Sequence, residues 1–254
     1  MFRNLYADIR SILLSRAFRT ALSVIVTGQI FYLAMMKGLC YLTDLSLTAD
    51  DIAYLYPSMA SFLVTAATLF IIDREFSNGC IRNKLISGVK RTDAFLSAVL
   101  CAMLQGVIYT MFACVISVII SKLFTLGFLN NSTSEIADLW LITTMACMAI
   151  GVFSASVVMM LGGNKASYVV GLLIAFVMKV WDTRIIDKLY PTKGHCTLTG
   201  VRLEVYRFVD RYIPYSYLMQ EQHYDMGSYI IGCSAMIIIS VVVGLIVFNK
   251  RELK

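Results

Sequence analysis

The sequence predicts an all-α polytopic membrane protein, and three observations carry that prediction. Mean hydropathy is +0.75. Hydrophobic residues make up 59% of the chain against 15% charged, whereas a soluble domain carries roughly 25% charged residues. Only three prolines occur in 254 residues, so long helices are rarely interrupted. The uncharged runs are also long. Residues 94–121 alone give 28 positions, ~42 Å of helix at about 1.5 Å per residue, against a hydrocarbon core of ~30 Å.

The first element is an interfacial helix over residues 1–17. Phe2, Leu5, Tyr6, Ile9, Ile12 and Leu13 recur at helical spacing, and Arg3, Asp8 and Arg10 are placed off that face. A helix of this kind lies in the membrane surface rather than across it. The alternative is that these residues are the first turns of a long first span. Four arginines precede the first apolar run and no small-residue cleavage pattern follows, so the segment does not read as a cleaved signal peptide.

Six spans follow, at about 19–39, 52–72, 92–121, 139–161, 166–181 and 226–248. Pro57 lies near the outer end of the second. The third is longer than the bilayer is thick, so it tilts or projects. The fifth has the shortest uncharged run, 166–178, followed by Lys179, which can snorkel, and Trp181, which can anchor at the interface. Charge placement supports this arrangement. With both termini cytoplasmic, 13 of the 22 Lys/Arg lie on cytoplasmic loops and ends, and only Lys37 and Lys122 lie on short outer connections. The remaining seven fall between Lys179 and Arg211, where the rule has little weight.

Residues 182–225 form an outer segment with structure of its own. Val201, Val205, Phe208, Val209 and Tyr212 fall on one helical face, and Arg202, Glu204, Arg207, Asp210 and Arg211 fall on others. Thr199 is the expected cap and Pro214 the expected stop. The predicted helix is amphipathic, set on the outer membrane surface or against the spans; an ordinary exposed helix is the alternative.

Several chemistries are excluded. The Gly162-Gly163-Asn164-Lys165 run lacks the spacing of a phosphate-binding loop and reads as a tight inner turn. No metal-ligand spacing, nucleophile elbow or carboxylate pair occurs, so no covalent catalysis is expected. His195 and His223 read as solvated residues, and the sequons at Asn130 and Asn131 matter only in a glycosylating compartment. Cys101, Cys114, Cys147 and Cys233 lie in apolar runs as small hydrophobes. Cys40 and Cys196 face outward, with two free thiols expected rather than a bridge. The net charge of +6 fits a basic surface near anionic lipid rather than nucleic-acid binding. The spans hold Gln29 and Gln105 but no carboxylate, which argues against an ion-driven carrier.

Residues 73–92 are the most informative stretch: a charged island of five Lys/Arg and two acids between uncharged runs. Its apolar residues Phe76, Ile81, Leu85 and Ile86 need a protein surface to cover them, which marks a docking element for a cytoplasmic partner. Glu75, then Gly79 four residues on, then Arg82, Leu85, Gly88 and Arg91, set between the second and third spans, resemble the coupling-helix segment of type-2 ABC exporter permeases. The layout of the whole chain is similar to that family; at residue level the likeness covers 75–91. One departure is Ser87-Gly88, where many relatives carry proline, so the local helix ending is expected to differ.

The resemblance implies a permease subunit with no catalysis of its own. Two separate ABC ATPase subunits bind ATP and Mg, and a second permease copy or close homologue completes the transporter. It implies ATPase contact through Glu75, Phe76, Gly79, Ile81 and Arg82 in the first half of the segment, and through Lys84, Leu85, Ile86, Gly88 and Arg91 in the second. By family analogy the dimer contact and substrate path lie along the first, second and fifth spans, nominating Gln29, Tyr32, Met35 and Met36. The expected setting is the bacterial plasma membrane and the expected cargo an amphipathic or hydrophobic molecule: a peptide first, then lipid or antibiotic. An ion-coupled secondary carrier and a non-transport assembly or sensor protein are the rival classes.

Overall fold

The computed structural model describes residues 2–43, 46–125, 127–129, 131–162, 165–191, 196, 198–218 and 224–251. The expectations for Asn130, Gly163, Asn164, His195 and His223, and for the side chains of Phe2 and Arg3, lie outside these. Among the described residues there are ten α-helices and no strand. They are α1 (Phe2–Leu13), α2 (Arg16–Thr43), α3 (Ala49–Ala53), α4 (Leu55–Ser77), α5 (Cys80–Ile86), α6 (Arg91–Phe124), α7 (Thr133–Leu161), α8 (Lys165–Leu189), α9 (Val201–Tyr212) and α10 (Met226–Lys250). Five stretches are long and apolar enough to cross a membrane: α2, the α3–α4 pair, α6, α7 and α10.

The central helix is α7, whose buried positions include Ala146, Ala149, Gly151, Ser154, Ala155 and Ser156. Small residues let neighbouring backbones approach closely, which is how helices associate where lipid removes the hydrophobic drive. α6 and α7 pack backbone against backbone. A Cβ on Gly106 would stand 2.7 Å from the Cys147 carbonyl oxygen, and one on Gly151 would stand 2.8 Å from that of Ala102. Hydroxyls join the same interior: Tyr56 with Thr110 at 3.3 Å, and Ser154 donating to Thr65 at 3.3 Å.

α3 and α4 are one span with a break. Proline has no N–H and its ring collides with the carbonyl four residues back; for Pro57 that is Ala53, where α3 ends. α3 starts on a capping box between Thr48 and Asp51. Asp50 is buried and accepts from the Leu129 N–H and the Asn131 amide, both at 2.9 Å, which stitches α3 to the α6–α7 connection.

α8 has 25 residues and carries Lys179, Arg184, Asp187 and Lys188 in its second half. It runs antiparallel to α4. The rings of Phe70 and Tyr168 lie 6.5 Å apart, those of Phe62 and Phe176 lie 6.3 Å apart, and Lys179 Nζ donates to the Ser58 carbonyl at 2.6 Å. Residues 168–179 thus lie beside residues 58–70. The sequence placed the end of this helix near 181, whereas it continues to Leu189: no Gly or Pro interrupts residues 172–190, and Pro191 follows.

α1 is a separate helix, divided from α2 by a turn in which Ser15 Oγ accepts from the Phe18 N–H at 3.1 Å. Its packing corrects the sequence reading at Asp8. That residue is buried, at 7% exposure, while Tyr6 is exposed. Leu5, Asp8 and Ile12 follow i, i+3, i+7 spacing and share the face turned to α6, so the acid sits on the packed stripe rather than off it.

α9 forms as the spacing predicts, but its N-cap is Gly200 with φ +61°, not Thr199. The helix ends at Tyr212, two residues before Pro214. Its apolar residues Val201, Val205 and Phe208 are exposed, while Asp210 is buried. Tyr190 and Tyr224 both donate to Asp210 Oδ2, at 3.1 and 2.8 Å. Burial, followed by the interactions with that carboxylate, pushes both phenols above the ordinary tyrosine range.

Candidate functional site

The charged island folds as a short helix, α5, held between the end of α4 and the start of α6. Two glycines delimit it. Gly79 has φ +69° and Gly88 has φ +89°, the left-handed region where a Cβ costs about 1–2 kcal/mol. After α5, the N–H of Gly88 donates to the Leu85 carbonyl and that of Val89 to the Lys84 carbonyl, both at 3.1 Å, closing its C-terminus. Proline, with φ fixed near −65°, does not fit this conformation at position 88. The Ser87-Gly88 departure therefore corresponds to a left-handed turn.

One face of α5 is bound into the protein. Ile81 is 3% exposed and packs with Leu69, Ile72, Phe95 and Phe248, so its covering surface is supplied by this chain. Phe76 and Leu85 are half-buried. Lys84 reaches inward, its Nζ 2.8 Å from Asp8 Oδ1 and 3.2 Å from Glu75 Oε2. Asp8 Oδ2 in turn accepts from Ser97 Oγ at 2.6 Å. One lysine and two acids thus join α5 to α1, α4 and α6. Burial opposes the ammonium charge, but Glu75 and Asp8 outweigh it and hold Lys84 above the ordinary lysine range.

The opposite face of α5 is open. Arg82 and Asn83 are exposed, and Ile86 is 75% exposed. Gly88 is exposed beside them. Arg91, at the start of α6, turns elsewhere: it donates to the carbonyls of Asn249 and Arg251, at 3.3 and 2.6 Å, and so closes the end of α10. Arg251 similarly donates to the Met160 carbonyl at the end of α7, at 2.7 Å.

Of the ten residues singled out in the segment, Arg82, Ile86 and Gly88 are exposed. Phe76, Gly79 and Leu85 are half-buried, and Glu75, Ile81, Lys84 and Arg91 are committed to internal contacts. The structure adds Asp8, Ser97 and Arg251, which sequence reasoning missed. For Asp8 a signal existed in its spacing from Leu5 and Ile12; for Ser97 and Arg251 the partners lie 89 and 91 residues away in sequence and no local pattern marks them.

The residues nominated on α2 do not form one surface. Gln29 is buried and its amide donates to the Ala113 carbonyl at 3.2 Å, tying α2 to α6. Tyr32 is half-buried, Met35 is exposed, and Met36 packs toward Leu47, Ile52 and Ile120. The open apolar face of α2 runs through Val24, Phe31 and Met35. Cys40 and Cys196 are both free thiols.

One side of α5 is fixed to three helices by an apolar plug and an ionic knot, and the other side is exposed. No family model and no curated protein matches the chain.

Proposed function

We propose that this chain is the permease subunit of an ATP-driven exporter of the type-2 ABC class. It moves an amphipathic or hydrophobic substrate, a peptide in the first instance, and dimerises with a second copy or close homologue. The observation that carries the reading is α5: a seven-residue helix between two spans, fixed inward by Ile81 and Lys84 and open outward through Arg82 and Ile86. A partner that closes on that outer face moves α1, α4 and α6 with it.

Supporting features are the basic ends of the bundle, the separate α1, and α8 lying alongside α4, which this reading takes as the sixth crossing. The described interior of the spans is served by hydroxyls and amides, and the buried acids Asp8, Asp50 and Asp210 belong to the short helices α1, α3 and α9. A cationic cargo has no acidic counter-charge along such a path and faces a cost of several kcal/mol; an amphipathic one can enter sideways from lipid. The basic end is assigned to the cytoplasm of a bacterial cell, with both termini there.

The test is co-purification in mild detergent with an ATPase of about 200–300 residues, one or two domains. Leu85→Asp and Ile86→Asp are expected to release that ATPase while the permease remains folded. In proteoliposomes the assembled complex is expected to move substrate only with ATP. Transport by the permease alone on a proton or sodium gradient overturns the reading in favour of a secondary carrier. In sealed cells, external thiol labelling is expected at Cys196 and not at Cys80; labelling at Cys80 overturns the orientation.

A further inference from the structure

A polar cavity of about 410 Å³ lies where α1, α2, α4 and α5 meet, apart from the outer face of α5. Arg16 and Arg19 line it from the start of α2, Arg74 and Asn78 from the end of α4, and Ser11 and Ser15 from the α1–α2 corner. Among the described residues, none of the three guanidiniums has an ion pair or hydrogen bond to a side chain or carbonyl. Glu75 also lines the cavity, but its carboxylate is held by Lys84. Three guanidiniums around one polar space, with the adjacent carboxylate engaged, call for an anion, and the planar guanidinium fork fits phosphate oxygens in pairs.

An apolar groove of about 720 Å³ continues from this cavity. Ala17 lines both spaces. Along α4 the lining passes directly from Arg74 and Ile71 in the polar cavity to Phe70, Ala66 and Phe62 in the groove. The distance from Ile71 to Phe62 is ~13.5 Å at about 1.5 Å per residue, a little under half of a ~30 Å hydrocarbon core. A basic pocket above an apolar channel of one-leaflet length has the dimensions and polarity of a lipid molecule.

We propose that the paired cavity binds one anionic phospholipid from the leaflet at the basic end. Its phosphate is held by Arg16, Arg19 and Arg74, and an acyl chain lies in the groove between α2 and α4. Basic pockets between spans recognise anionic headgroups in this way. The lipid occupies the part of the groove from the arginines to Phe62 and leaves the Ser58–Lys179 end open. The inference needs neither an ATPase nor a cargo, but its groove lies on the α2–α4–α8 face where the exporter reading expects a dimer contact.

The experiment titrates the purified full chain in detergent with phosphatidylglycerol, phosphatidylcholine or inorganic phosphate, and reads bound lipid by native mass spectrometry and melting temperature. Phosphatidylglycerol is expected to bind roughly ten- to hundredfold tighter than phosphatidylcholine. Arg16→Gln/Arg19→Gln/Arg74→Gln is expected to remove that preference while leaving the melting temperature in phosphatidylcholine unchanged. Ala66→Trp, which fills the groove at an exposed position, is expected to weaken lipid of either headgroup. Arg202→Gln/Arg207→Gln, on α9, is expected to change nothing. Retention of the preference by the triple variant overturns the proposal. So does full displacement of phosphatidylglycerol by inorganic phosphate with Ala66→Trp silent, which makes the cavity a free-phosphate site. A dimer whose second copy fills the groove and excludes phosphatidylglycerol overturns it as well.

Discussion

The two ends of the bundle bury carboxylates in different ways. At the basic end, Asp8 and Glu75 close on the Lys84 ammonium, so the charges are satisfied by opposite charge. At the other end, Asp210 closes on two phenols and Asp50 on a backbone N–H and an amide, so the charges are satisfied by neutral donors. Removing one member of the first kind leaves uncompensated charge; removing the acid of the second leaves only neutral hydroxyls. The ionic knot is therefore the more fragile to mutation, and it sits directly behind the helix proposed to receive mechanical input.

The largest expected effect follows from breaking the knot. Lys84→Met leaves Asp8 and Glu75 facing each other and should cost about 3–5 kcal/mol of stability, read by denaturant unfolding in detergent. The pH dependence has a definite sign. Because Lys84 is held above its ordinary value, its contribution is fully present below about pH 10.4 and is lost as pH rises through the folded-state pKa. An alkaline limb in the wild-type stability curve that disappears in Lys84→Met is the expected signature. Asp210→Asn should cost less, about 1.5–3 kcal/mol. A larger loss at Asp210 than at Lys84 would refute the contrast between the two ends.

Smaller effects sharpen it. Gly88→Ala places a Cβ at φ +89° and should cost about 1–2 kcal/mol, with helix content preserved by circular dichroism. Ile86→Asp changes an exposed side chain and should shift stability by less than about 0.5 kcal/mol, yet abolish capture of a partner ATPase. A stability loss comparable to that of Gly88→Ala would mean that Ile86 packs within the chain and is no docking residue.

Much of the architecture was legible because it is periodic. The apolar runs gave the long helices, the glycines at 79 and 88 framed α5, and the stripe at Val201, Val205 and Phe208 gave α9. What escaped was direction. Spacing placed Leu5, Ile9 and Ile12 on the packed face but set Asp8 off it, since an acid on a packed stripe is sensible only once Lys84, 76 residues on, is seen to meet it. Likewise α9 was legible as amphipathic, but not that its acid turns inward to Tyr190 and Tyr224 while its apolar side stays open. The partners of Arg91 and Arg251 are carbonyls, and no residue identity advertises a carbonyl.

The seam between α6 and α7 has a consequence for how such a molecule deforms. At Gly106 and Gly151 the two backbones meet without side chains between them, one helical turn apart along each helix. Long side chains act as bearings that can change rotamer as one helix slides over another. Here there are none, and a shift of one turn would drive the Cβ of Thr110 or Ala102 into the carbonyls that now face glycine. The pair therefore moves as one beam. In the proposed mechanism a displacement of α5 that reaches α6 carries α7 with it, and α2, which has few buried residues, has the freest path to swing.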